Sequence, residues 1–256
     1  MNTVIGGDFE GFVRAASGWI PASDVLSGGK NNATSLSDDV VAHPDNVMAE
    51  FALAKPVPVH QFATRVRAAQ ELLQEAIAPA TFHAVGSMEF SYDWLDSTPS
   101  SKEIGCEPDY DHNGNMYAYS PTDIGSSRFA GFHLHFDVNP AIPPELAVML
   151  VDCTIGVASI ATQIDTQQGK RRQFYGTAGR HRRKPYGIEY RTLSSNVLNH
   201  LDVLQGYLPP VAAALSSNGN DPLIALLNEH QLAVQCINEE DIALARTLIK
   251  EVDKHV

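Results

Sequence analysis

Between Gly169 and Asn196 the sequence runs GKRRQFYGTAGRHRRKPYGIEYRTLSSN, and no other stretch constrains the fold as strongly. It holds Lys170, Arg171, Arg172, Arg180, Arg182, Arg183, Lys184 and Arg191, eight of the 18 Lys and Arg in a chain of net charge -12. That concentration implies a local anion site. Within it, Gly187-Ile188-Glu189-Tyr190-Arg191 alternates apolar and charged residues, so on a strand Glu189 and Arg191 share one face while Ile188 and Tyr190 take the other. Taken alone, such a pair is most often an ion pair on a surface hairpin.

The same period of two recurs elsewhere. In GGDFEGF, Asp8 and Glu10 flank Phe9, which places two carboxylates side by side on one face of a predicted strand. At a separation of about 4 Å they repel by roughly 4 kcal/mol at an effective dielectric near 20, so burying both requires a cation or a proton. In RFAGFHLHFD, Phe132, Leu134 and Phe136 face one side and His133 and His135 the other, and paired imidazoles suit a metal or phosphate contact. Asp45 to Leu53 reads as a further strand with Glu50 between apolar neighbours, and Thr81 to Ser91 as another with Glu89 between Met88 and Phe90. Gly28-Gly29-Lys30 lies in a Gly/Ser/Asn-rich loop and could cradle an anion, although no Walker A pattern is present.

Helical spacing at Phe62, Val66, Leu73 and Ile77 predicts an amphipathic helix over 59–77. The apolar run 144–164 predicts a buried helix rather than a membrane span, because it carries Glu145 and Asp152. Segments 197–215, 221–230 and 239–252 predict further helices, with Asn238 as the N-cap of the last. Segment 96–122, turn-rich and acidic, reads as a long loop at the site. Strands and helices are interspersed without βαβ alternation, which predicts an α+β fold with a mostly antiparallel sheet.

Composition narrows the function classes. An acidic chain, of pI near 5.2, lacks the broad basic field that coating nucleic acid or an anionic membrane would need, so neither partner is expected. Cys106, Cys153 and Cys236 are widely spaced and odd in number, which argues against a disulfide framework or a zinc ribbon. The first residues lack a basic segment followed by an apolar core, so the expected location is cytoplasmic.

Together, GGDFEGF, GGK followed by DNVMAEF, GCEPDYD, RFAGFHLHF and the basic block resemble the phage-encoded phiEco32-like COOH-NH2 ligases, over about residues 8 to 196. That family is similar in turn to the glutamine synthetase and glutamate-cysteine ligase superfamily. The resemblance implies a curved antiparallel sheet forming an ATP-binding funnel, here one domain over 1–256 with 197–256 as a helical C-terminal part. Also implied are ATP and Mg²⁺, or Mn²⁺ in its place, as cofactors, small-molecule or peptide carboxylate and amine substrates, and action in the host cytoplasm.

By the same resemblance, Asp8, Glu10, Glu50 and Glu189 would hold the metal, with Glu89 and Glu107 as weaker candidates for completing it. His133, His135, Arg171, Arg172, Arg180 and Lys30 would bind the nucleotide, and Arg191, Arg180 and His133 would act in catalysis. Asp8 stands where the ligases of central metabolism usually carry Glu. Two alternatives stay open: a metal-dependent hydrolase using the two histidines with the carboxylates, and a non-catalytic nucleotide-binding relative.

Overall fold

A computed structural model describes residues 3–102, 108–119, 121–217 and 221–254. Nine strands form the main path of a 12-stranded sheet. They are β1 (Val4–Ala15), β2 (Thr34–Ser37), β3 (Val40–Asp45), β4 (Met48–Leu53), β5 (Asp109–Tyr110), β6 (Met116–Tyr117), β7 (Phe132–Asp137), β8 (His181–Lys184) and β9 (Gly187–Tyr190). Their order across the sheet is β6-β5-β8-β9-β7-β1-β4-β3-β2, with Gly18–Ile20, Val57–Pro58 and Thr81–His83 pairing on β1 away from this path. Every pairing is antiparallel, as the alternating patterns predict.

One face of the sheet is closed by helices. The apolar residues of β1, β4 and β7 meet there, with Phe9 5.1 Å from Phe51 and 4.7 Å from Phe132 between ring centroids. Helix α1 (Phe62–Ala76) lays Phe62, Val66 and Leu73 on this layer, all fully buried. Three consecutive helical segments, Pro144–Val151, the π turn Asp152–Gly156 and Val157–Ala161, supply a second cover. This run is long and apolar enough to cross a membrane by composition, yet 78% of it is buried inside the protein.

The C-terminal helices are α2 (Leu201–Ser216), α3 (His230–Glu239) and α4 (Ile242–Val252). The cap of α4 differs from expectation. Asp241, not Asn238, accepts from the Leu244 amide at 2.9 Å, while Asn238 accepts from the Ala178 amide at 2.8 Å. The strand expected over 81–91 is two short strands, Thr81–His83 and Ser87–Glu89, the second pairing with Ser127–Phe129 in a separate small sheet. The strand expected over 45–53 is the turn and second arm of a hairpin: β3 ends at Asp45, Asn46 turns with φ 52°, and β4 begins at Met48.

Candidate active site

The other face of the sheet is charged, and strand register explains why. Opposite Asp8 on β1 stands His133 of β7. Glu10 stands opposite Glu50 of β4, which in turn stands opposite His43 of β3. His135 faces Glu189 of β9, and Glu189 faces Arg182 of β8. Residues directly opposite in an antiparallel pair point to the same side. Six strands therefore send side chains into one cleft, while Phe9, Phe51 and Leu134 go into the core.

Asp8 is the hinge of the cleft. Its carboxylate accepts from His135 Nε2 at 2.8 Å and also from His133 Nδ1. Burial alone would raise its pKa, but the two imidazoles outweigh that and hold it well below the usual carboxylate value. Opposite lies Glu189, gripped by Arg191, by Lys184 at 2.7 Å and by Arg182 at 3.4 Å. Burial again works to raise it, but Arg191 leads the opposing charges and the group sits at about 2.

The third group of acids behaves oppositely. Carboxylate oxygens of Glu10, Asp45 and Glu50 lie within 4.8 Å of one another. Burial pushes all three pKa values up, Glu50 furthest because Asp8, Glu10 and Asp45 add repulsion. Glu10 accepts from the Gly131 amide at 2.6 Å, with His133 and Arg191 opposing part of the repulsion, and Glu50 has His43 at 3.7 Å. Crowded, under-compensated oxygen donors of this kind fit a hard divalent cation such as Mg²⁺, which takes oxygen ligands, better than zinc. A second grouping, Asp8, His135 and Glu189, also has donor atoms within 4.8 Å, but it mixes nitrogen with oxygen and is already ion-paired.

The arginines divide. Arg191 lies in the cleft, with Nε 3.5 Å from Asp109 and a terminal nitrogen on Glu189. Arg180 does not line it; the fork binds Asp109 at 2.5 Å and stacks over Tyr117 at 4.1 Å. Arg172 is committed to internal structure through Asp165 at 3.2 Å and Glu240 at 3.1 Å. Arg171 is fully buried and donates to the carbonyls of Thr192 and Leu193, bordering a second cleft described below. Lys30 borders the charged cleft on its tight Gly28-Gly29 turn.

Glu89 lies away from this cleft, where its carboxylate accepts from Ser126, Ser127 and Lys170. Those contacts supply the charge compensation that a metal would otherwise give. Glu107 and Cys106 lie outside the described residues.

Three residues not picked as site candidates from the sequence now stand in or beside the site, His43, Asp45 and Asp109. Asp45 is hidden because it ends one hairpin arm rather than opening a strand. Asp109 is hidden in the acidic segment 96–122, where turn residues mask the short β5–β6 hairpin.

Residues 123–212 match the family model for phage phiEco32-like COOH.NH2 ligase-type 2. The family resemblance stands over this span, which covers only part of the 8–196 expected from the motifs. Within the matched span of this ligase family lie His133, His135, Arg171, Arg180, Glu189 and Arg191, whereas Asp8, Glu10 and Glu50 fall outside it and are tied to it by strand register. The family name describes joining of carboxyl and amino groups, so the matched span resembles ligases compatible with amide-bond formation. No curated protein matches the chain.

Proposed function

We propose that the protein is an ATP- and Mg²⁺-dependent carboxylate-amine ligase of glutamine synthetase-like fold. In the proposed reaction a substrate carboxylate oxygen attacks the γ-phosphorus and the bond to the β-bridging oxygen breaks, leaving ADP and an acyl phosphate. An amine then attacks the acyl carbon, inorganic phosphate departs, and the amine loses a proton as the amide forms. The observation that carries this reading is the charged cleft in which Asp8 and Glu10 of β1, Glu50 of β4, His133 of β7 and Glu189 of β9 with the adjoining Arg191 meet.

Glu10 and Glu50, joined by Asp45, are the oxygen donors for the metal, with Asp8 and Glu189 on the facing side. When bound, the cation would neutralise charge on phosphate oxygens. Arg191 presents a guanidinium to the transferring group, a planar donor suited to phosphate, and Lys30 adds charge at the rim. His133 and His135, oriented by Asp8, hold their rings at fixed angles beside it. Arg180 acts through Asp109 and Arg172 through the surrounding backbone rather than by touching the nucleotide.

A hydrolase reading would place both imidazoles on the metal. The all-oxygen grouping of Glu10, Asp45 and Glu50 includes neither imidazole, which favours the ligase. The deciding assay is ADP release: it must require a carboxylate and an amine together. Product formation without ATP would replace this proposal by the hydrolase, and nucleotide binding with no turnover over a broad substrate panel by the non-catalytic relative.

A further inference from the structure

Beside the charged cleft lies a second one, and the two share Glu10, Asp45, His133 and Arg191 as a common wall. Arg191 reaches that wall from outside any strand. β9 ends at Tyr190, and Arg191, Thr192 and Leu193 follow as buried chain without regular secondary structure. Buried carbonyls in such a segment need donors that a sheet would otherwise supply. Arg171 supplies them. One terminal nitrogen donates to the Thr192 carbonyl at 2.8 Å, and the other to the carbonyls of Leu193 at 2.9 Å and Arg191 at 3.5 Å. A planar fork with donors at fixed angles sets the direction of these peptide groups as well as their distance.

The surroundings of Arg171 suit this task better than contact with a ligand. The residue borders the second cleft but is only 2% exposed, and its terminal nitrogens are spent on the backbone. Burial lowers its pKa to about 10, against the pull of Asp165 and Glu10, so the group is charged at neutral pH. Charge makes its bonds to neutral carbonyls roughly twice as strong as those between neutral groups. The turn that carries it is anchored from behind, because Arg172 holds Asp165 at 3.2 Å, Glu240 at 3.1 Å and the Gly176 carbonyl. Gly176 also clears the space: its φ is +71°, and a Cβ there would collide with an Arg171 terminal nitrogen and lie 2.7 Å from the Thr192 carbonyl oxygen.

We infer that Arg171 is a positioning residue, whose fork over the carbonyls of 191–193 holds the backbone from which the Arg191 guanidinium reaches Glu189 and Asp109. It acts on the proposed chemistry through Arg191 and touches neither nucleotide nor substrate, in place of the nucleotide contact that the family resemblance implies. The inference rests on the ligase reading for its effect on rate, whereas the placing of Arg191 does not depend on turnover.

The test follows the Arg191 side chain directly, by nuclear magnetic resonance of the intact chain carrying isotope-labelled arginine. The Arg191 Nε–H signal, identified by its loss in Arg191→Lys, should shift in Arg171→Lys and in Gly176→Ala, while that of Arg246 on α4 stays in place. Gly176→Ala displaces the guanidinium without removing it, so the measurement survives if Arg171→Lys does not fold. An unmoved Arg191 signal overturns the inference. Kinetics then separate positioning from contact. In Arg171→Lys, kcat for ADP release should fall at least about tenfold with KM for ATP within about twofold of the parent, and the same change should cost nothing further in an Arg191→Lys background. A raised KM for ATP, with losses that add in the double variant, would mean that Arg171 meets the nucleotide itself and also overturns the inference. A shifted Arg191 signal in a protein that releases no ADP sinks the ligase reading alone, and ADP release with an unmoved signal sinks the positioning role alone.

Discussion

Asp109 illustrates how one side chain can organise others. It binds Arg180 through one oxygen and reaches Arg191 Nε with the other, and Arg191 in turn grips Glu189. Asp109→Asn halves that support without changing shape. Turnover should fall by at least tenfold with little change in thermal midpoint, read as kcat by ADP release. Glu189→Gln or Arg191→Ala removes the clamp itself and should cost on the order of a hundredfold or more in rate while far-ultraviolet dichroism stays native. Full activity in either variant would remove both residues from the proposed chemistry.

Glu50 makes the opposite prediction for stability. Its pKa is held well above the usual value by burial and by Asp8, Glu10 and Asp45. The fold therefore favours the protonated carboxyl, so its contribution to stability is fully present below pH 4.5 and is lost as pH rises through the raised folded-state value. Glu50→Gln keeps the neutral form at every pH. Without metal, this variant should melt higher than the parent at pH 8 and show little gain at pH 4, each kcal/mol appearing as about 2–4 °C.

At the level of strands and helices, the decisive property is that β1, β4 and β7 are amphipathic with a period of two. The sequence makes that plain where apolar and charged residues alternate cleanly, which is why Asp8, Glu10, His133, His135, Glu189 and Arg191 could be picked out before any coordinates. It is opaque where charge density alone is the signal. Eight basic residues cluster between Gly169 and Asn196, yet Arg172 is spent on Asp165 and Glu240, and Arg180 on Asp109. Nothing in residue order separates an arginine that supports a loop from one that meets a ligand, since both need only a nearby oxygen. Asp45 escaped notice for a different reason: a positive φ at Asn46 breaks what reads as one strand into a hairpin turn. Gly131 is another element-level constraint, because a Cβ there would lie 2.3 Å from His133 Nε2. Gly131→Ala should therefore displace the His133 ring and weaken ATP binding, measured by calorimetry, more than it lowers the thermal midpoint.

For the molecule as a whole, metal and fold should be linked. If Glu10, Asp45 and Glu50 hold a divalent cation, Mg²⁺ at about 100 times its dissociation constant should stabilise the protein by about 2.7 kcal/mol, visible as a rise in melting temperature that Glu50→Gln abolishes. Absence of any Mg²⁺ or Mn²⁺ effect on melting would take the metal out of the proposal. The helical cover was readable from spacing, but the partition between the two clefts was not, because it depends on which loops close over the far end of the sheet.

Phe9 sits on the same strand as Asp8 and Glu10, pinned between Phe51 and Phe132. Reagents and reaction thus share a single backbone with the scaffold's aromatic keystone, leaving no flexible linker to absorb a misfit. Attempts to harden this protein by repacking its interior will register first as an altered cleft, and stabilising changes are better sought in α3 and α4, which contribute no residue to the charged cleft.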